Sequence, residues 1–120
     1  MLSILIANSK GGSGKSTIAT NLSGALARAG HTVLLADADR QRSCLAWSAR
    51  RPATAQPVAV VDWVKSIGDV PHGVTRVVID GPAGVRKSDV EALIAAADLV
   101  VMPVLPSSFD QEASRSFIAK

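Results

Sequence analysis

The chain has 120 residues and a formal net charge of +3, enough for one domain with a buried core and a charge that permits, without demanding, contact with a polyanion. Aromatic residues are only 3% of the chain (Trp47, Trp63, Phe109 and Phe117, with no tyrosine), so Ala, Val, Leu and Ile must build the interior, a composition suited to parallel strands covered by helices. The single Cys44 excludes an internal disulfide framework and fits a small apolar packing group in a reducing compartment; Asp98 and Pro103 interrupt the most apolar region before it reaches membrane-spanning length, and no basic segment precedes the first apolar run, so a cytoplasmic location is expected.

Residues 2–7 form an apolar run that predicts a short buried strand. Asn8-Ser9-Lys10-Gly11-Gly12-Ser13-Gly14-Lys15-Ser16-Thr17 follows, and then a helical pattern over 17–28 that Gly30 is placed to stop. Strand, glycine-rich turn and helix in that order predict a phosphate-binding loop. Glycines let successive backbone N–H groups turn inward, and the free donors of the helix N-terminus complete a concave site for anionic oxygens. Lys15 is expected to reach the β- and γ-phosphates, and the Ser16 hydroxyl to ligate Mg²⁺.

Residues 32–36 predict a second strand ending in Asp37-Ala38-Asp39, where open α/β sheets bind ligands. Ser43 is expected to cap a short helix through Leu45, Trp47 and Arg50, closed by Pro52. Residues 52–57 read as a surface loop and 58–61 as a third strand. A helical turn is expected near residues 63–67, with a loop at Pro71-His72-Gly73. Residues 74–79 are a clear fourth strand that delivers Asp80 at its end, ahead of a loop suited to sensing a γ-phosphate. An apolar strand ending in Asp is the Walker B arrangement for holding Mg²⁺, although such a residue also caps turns. Ser88 is expected to cap a helix through Val90, Leu93, Ile94 and Ala97. Residues 99–102 form a fifth strand stopped by Pro103 and Pro106, and Ser108 opens a last helical pattern. The alternation predicts an α/β fold of the P-loop NTPase kind, with a mostly parallel sheet and helices on both faces.

Lys10 adds a second lysine before the glycine pair, and Lys-Gly-Gly-x-Gly-Lys-[Ser/Thr] is the deviant Walker A loop. Here the chain resembles the ParA/MinD superfamily of ATPases. The resemblance implies one ATPase domain over residues 1–120, covering the N-terminal half to two-thirds of a ParA-type domain and apparently truncated at the C-terminus. Lys10 would cross a dimer interface to the partner's nucleotide. Lys10, Gly11, Gly12, Ser13, Gly14, Lys15, Ser16, Thr17 and Asp80 would bind ATP; Lys10, Lys15 and Asp39 would serve hydrolysis; Ser16, Asp39 and Asp80 would hold Mg²⁺. Asp37-Ala38-Asp39-Arg40-Gln41 resembles the family's first switch, in which Asp39 positions the attacking water and Asp37 supports it. Arg40 departs from the family's proline and removes its fixed φ, which loosens that turn.

Within the superfamily, Lys-Gly-Gly-Ser-Gly-Lys, Trp47-Ser48, Ile79-Asp80-Gly81 and Met102-Pro103-Val104-Leu105-Pro106-Ser107 resemble the small ParF-type partition ATPases. These dimerise on ATP, assemble on DNA and answer to a ParB- or ParG-like centromere-binding protein. By that resemblance the chain is a weak Mg-ATPase that segregates plasmid or chromosomal DNA, associated with nucleoid or plasmid. Pro103 and Pro106 would lie near the dimer interface, or simply end a strand. Arg40, Arg42, Arg50, Arg51, Arg86 and Lys87 would line a phosphate-binding surface for non-specific DNA, or form a solvated face. Two alternatives stay open: a truncated, non-hydrolysing nucleotide-binding or oligomerisation module, and a MinD-type division-site ATPase, which would need a membrane helix not visible here.

Overall fold

The computed structural model describes residues 1–8, 14–83 and 87–103. Its elements are β1 (Leu2–Asn8), α1 (Lys15–Arg28), β2 (Val33–Asp37), α2 (Ser43–Arg50), β3 (Ala59–Asp62), β4 (Arg76–Ala83), α3 (Lys87–Ala96) and β5 (Leu99–Val101). The strands form one five-stranded sheet in the order β3-β2-β4-β1-β5, and every pair is parallel.

Period-two alternation sorts the core onto the two faces of the sheet. Ile4, Ile6, Val33, Leu35 and Val78 meet Ala19 and Ala27 of α1 and Cys44 of α2. Leu5, Ala7, Leu34, Ala36, Val77 and Ile79 meet Trp63 and Leu93 of α3 on the other face. β2 is buried along its whole length, as expected of an inner parallel strand. Each fully buried Leu there is worth about 1.5–3 kcal/mol relative to exposure.

Small residues at a spacing of four, Ala19, Ser23 and Ala27, are the buried stripe of α1 and bring it close to the sheet. Ser23 returns its hydroxyl to the Ala19 carbonyl at 2.8 Å, so the stripe holds no unpaired hydroxyl. The helix closes where the N–H groups of Gly30 and His31 donate to the carbonyls of Ala27 and Leu26.

Several local expectations are corrected. Asp80 lies inside β4, which runs on through Gly81, Pro82 and Ala83. The register of β1 against β4 shifts between Ile6 and Asn8, and that irregularity accommodates the proline. Residues 64–66 form bends and no helical turn spans 63–67, with Trp63 buried under the sheet. Ser43 is the first residue of α2 and not its cap; Arg42 takes that position with no side-chain cap bond. Ser88 falls inside α3. The helical pattern from Ser108, together with Pro106, lies outside the described residues.

Candidate nucleotide and cation site

The sheet register gathers the acidic residues. Asp37, the last residue of β2, is the register partner both of Asp62, which ends β3, and of Asp80 inside β4, and Ile6 and Val101 continue the row. Asp37 and Asp80 are fully buried, on the face covered by α1 and α2, and Asp39 is nearly so.

Gly14 precedes α1 with φ +82°, a conformation that glycine adopts without strain. Its lack of a side chain also leaves the first turn of α1 uncapped, and no acidic residue lies in that turn. The mouth of the helix is therefore an anion-binding surface. Lys15 is the first helical residue and only 5% exposed. Its Nζ lies 2.8 Å from Asp39 Oδ2 and 3.0 Å from Asp80 Oδ1. Burial alone would lower the Lys15 pKa, but the bonds and charges of the two carboxylates outweigh it and raise it. Ser16 Oγ donates to Asp80 Oδ2 at 2.6 Å. Thr17 lies exposed on the same turn.

Asp39 is set by a braced loop. Its N–H donates to Asp37 Oδ1 at 3.2 Å, its Oδ1 accepts from the Gln41 N–H at 3.2 Å, and its carbonyl accepts from the Arg42 N–H at 2.9 Å. These bonds hold the turn without the proline that Arg40 replaces. Asp37 does the capping that Ser43 was expected to do: its Oδ2 accepts from the N–H groups of Cys44 and Leu45 at 3.0 and 3.1 Å. Burial, partly offset by these N–H bonds, raises the Asp37 carboxyl above the usual carboxylate value. Asp37 therefore acts on the site by positioning.

Cys44 is more than a filler. Its thiol lies 3.3 Å from Asp80 Oδ2, and burial beside that carboxylate pushes its pKa well up, so it remains a protonated donor. Nothing local in the chain signals that contact, because it joins residues 36 apart. Asp37, Cys44 and Asp80 present donor atoms within 4.8 Å of one another, yet the carboxylates are already engaged by backbone N–H groups, Ser16 and Lys15.

The hydroxyl of Ser16 and the carboxylates of Asp39 and Asp80 are hard oxygen donors, the set that suits Mg²⁺ held jointly with phosphate oxygens. Lys10, Gly11, Gly12 and Ser13, expected to complete the loop, lie outside the described residues, as does Arg86. The expected basic surface is partly committed within the chain. Arg42 pairs with Asp62 at 3.0 Å, while Arg51 stacks 4.7 Å from the Trp47 ring and donates to the Gln56 carbonyl. Arg40 and Arg50 are exposed. Among the described residues, no helix is long and apolar enough to cross a membrane.

A parallel sheet with a glycine-led helix at its carboxyl edge, whose first lysine meets Asp80 of β4 and Asp39 just beyond β2, defines a P-loop nucleotide-binding fold. Residues 4–117 match the CobQ/CobB/MinD/ParA nucleotide binding domain, and the chain belongs to that family, the ParA/MinD superfamily. It is 36% identical over 114 residues to the maintenance of carboxysome distribution protein A of Gloeobacter kilaueensis, covering 89% of this chain and 50% of that protein. It is also 36% identical over 113 residues to the protein ParA of Rhizobium radiobacter, with the same coverage of 89% and 50%. The chain thus spans about half the length of these curated relatives. A Borrelia burgdorferi B31 protein assigned to plasmid partition and bound to AMPPNP superposes with a TM-score of 0.80 at 17% identity, covering 98% of this chain and 68% of that one; this is a likeness of fold.

Proposed function

We propose that this chain is the nucleotide-binding portion of a Mg-ATP-driven positioning switch: it binds ATP, dimerises, hydrolyses slowly and thereby moves a cargo along DNA. The observation that carries this reading is the convergence of Asp39 and Asp80 on Lys15 and Ser16, which sets cation-binding oxygens beside an uncapped helix mouth. Mg²⁺, when bound by Ser16, Asp39 and Asp80, neutralises charge on the phosphate oxygens. Lys15 and the N–H groups at the start of α1 grip those oxygens, with Lys10, Gly11, Gly12, Ser13, Gly14 and Thr17 completing the cradle. Asp39, fixed by Gln41 and Asp37, orients the attacking water, since phosphoryl transfer asks chiefly for positioning and positive charge. Lys10 from a second copy supplies charge across the dimer, so the isolated chain is slow. The setting is cytoplasmic, on nucleoid or plasmid.

Similarity to the ParA of Rhizobium radiobacter supports DNA as cargo, delivered through a centromere-binding partner. A second cargo class, a large protein body, is supported by the equal identity to the carboxysome distribution protein. ATP titration, phosphate release with and without DNA, and sedimentation with AMPPNP test the proposal. Saturable Mg-dependent binding, DNA-stimulated release and an AMPPNP-dependent dimer are expected. A Lys15→Ala chain that binds ATP as well as the wild type overturns the reading.

A further inference from the structure

We infer that Lys15 is a built-in cation that seals the carboxylate site until nucleotide arrives, so that a divalent ion and a triphosphate each bind poorly alone and well together. This deepens the reading above and rests on it. Four ionisable side chains, Lys15, Asp37, Asp39 and Asp80, sit together, each less than a tenth exposed. Asp37 is committed to two backbone N–H groups of α2 and to that of Asp39. The ammonium lies between one oxygen of Asp39 and one of Asp80, the seat that a cation shared by these carboxylates would take.

Each partner arriving alone meets an unbalanced buried charge. A divalent ion entering without nucleotide has to displace an ammonium held at 2.8 and 3.0 Å and leave it buried without a counter-charge. A triphosphate entering without a divalent ion draws Lys15 to its own oxygens and leaves the carboxylates facing further negative charge. Arriving together, they permit an exchange: the divalent ion takes over the carboxylates while Lys15 turns to the phosphates. Lys15 stands at the mouth of α1 on a flexible four-carbon stem, so the side chain makes this move with the helix in place. The result is positive linkage between two ligands through one shared side chain.

The test uses the 120-residue chain without nucleotide and Mn²⁺ as the probe, with free Mn²⁺ counted by electron paramagnetic resonance. Wild type should bind Mn²⁺ weakly. Lys15→Gln, which keeps the bulk and removes the charge, should bind it tighter by about tenfold or more. Adding Asp80→Asn should cancel that gain, and Lys15→Arg, which keeps the charge, should stay as weak as wild type. If Lys15→Gln is unfolded in metal-free buffer, Mn²⁺ should restore a cooperative thermal transition; failure to restore it overturns the inference. So does a Lys15→Gln chain no better than wild type, or a wild type that already binds Mn²⁺ at micromolar concentration through Asp80. Any of these results in a wild type that still binds Mg-ATP removes the exchange alone, whereas loss of Mg-ATP binding by wild type removes the nucleotide reading itself.

Discussion

The acidic cluster around Asp37 and Asp80 and the outer strand β5 invert the usual sorting of side chains. At the first, Asp37, Asp39, Asp80 and Lys15 are buried; along the second, Leu99, Val100 and Val101 are exposed, at 51, 42 and 38%. Polarity therefore does not decide position in this sheet. What decides it is whether helices cover the strand and whether the charged groups there have partners. The buried charges persist because each has short, specific partners.

The largest break in this comparison should come from Asp80→Ala, which strips Lys15, Ser16 and Cys44 of a shared acceptor. Removing one partner of a buried pair should lower the unfolding free energy by about 3–5 kcal/mol, read by denaturant titration. Leu35→Ala, in the fully buried β2, should cost about 2–5 kcal/mol. The same truncation at Leu99 should change stability by less than about 0.5 kcal/mol. A Leu99→Ala chain as damaged as Leu35→Ala would show that β5 is covered after all. Next comes Gly81→Ala. A Cβ there would lie 2.9 Å from the Ile6 carbonyl oxygen and 3.1 Å from Leu5 Cδ1, so overpacking of about 1–3 kcal/mol is expected from the same titration.

Arg42 offers a smaller test at the site's border. It is the one non-glycine residue with positive φ among the described residues, at 52°. Arg42→Gly should gain up to about 1 kcal/mol by relieving the left-handed conformation, against the loss of an exposed pair with Asp62. The smallest effect is one of pH. Bonds from the Val64 N–H and from Arg42 hold the Asp62 carboxyl below its usual 3.8. Its contribution is therefore present above 3.8 and lost as pH falls through the lowered folded value. The stability difference between wild type and Asp62→Asn should vanish on that acid side.

The repeating architecture was legible because each strand is a short apolar run and each helix has its own period. Lys15, Ser16 and Asp80 could be singled out from local patterns, loop spacing and an apolar run leading into an acid, and Asp39 from a resemblance, and the fold brings these four side chains together. Contacts made across the fold were not legible. Ser43 carries the local signature of a cap, but the carboxylate of Asp37, delivered by a neighbouring strand, reached the α2 N–H groups instead. A loop was expected directly after Asp80, yet β4 continues through Pro82, where the shifted register tolerates the missing donor. Trp63 resembled part of a helical turn until its N–H met the Asp37 carbonyl at 2.8 Å. The thiol of Cys44 beside Asp80 left no trace in spacing at all.

The position of β4 between β1 and β2 also governs the order in which the molecule can be assembled. As the polypeptide leaves the ribosome, β1 and β2 emerge early but are not neighbours, and the strand that joins them, β4, is made some forty or more positions after β2. Until β4 has emerged, β2 has only β3 to pair with and β1 has no ladder to join. Closure then depends on distant segments, which slows folding and lengthens the exposure of unpaired edges. A chaperone that shields those edges during synthesis would raise the yield of folded molecules without touching the finished structure.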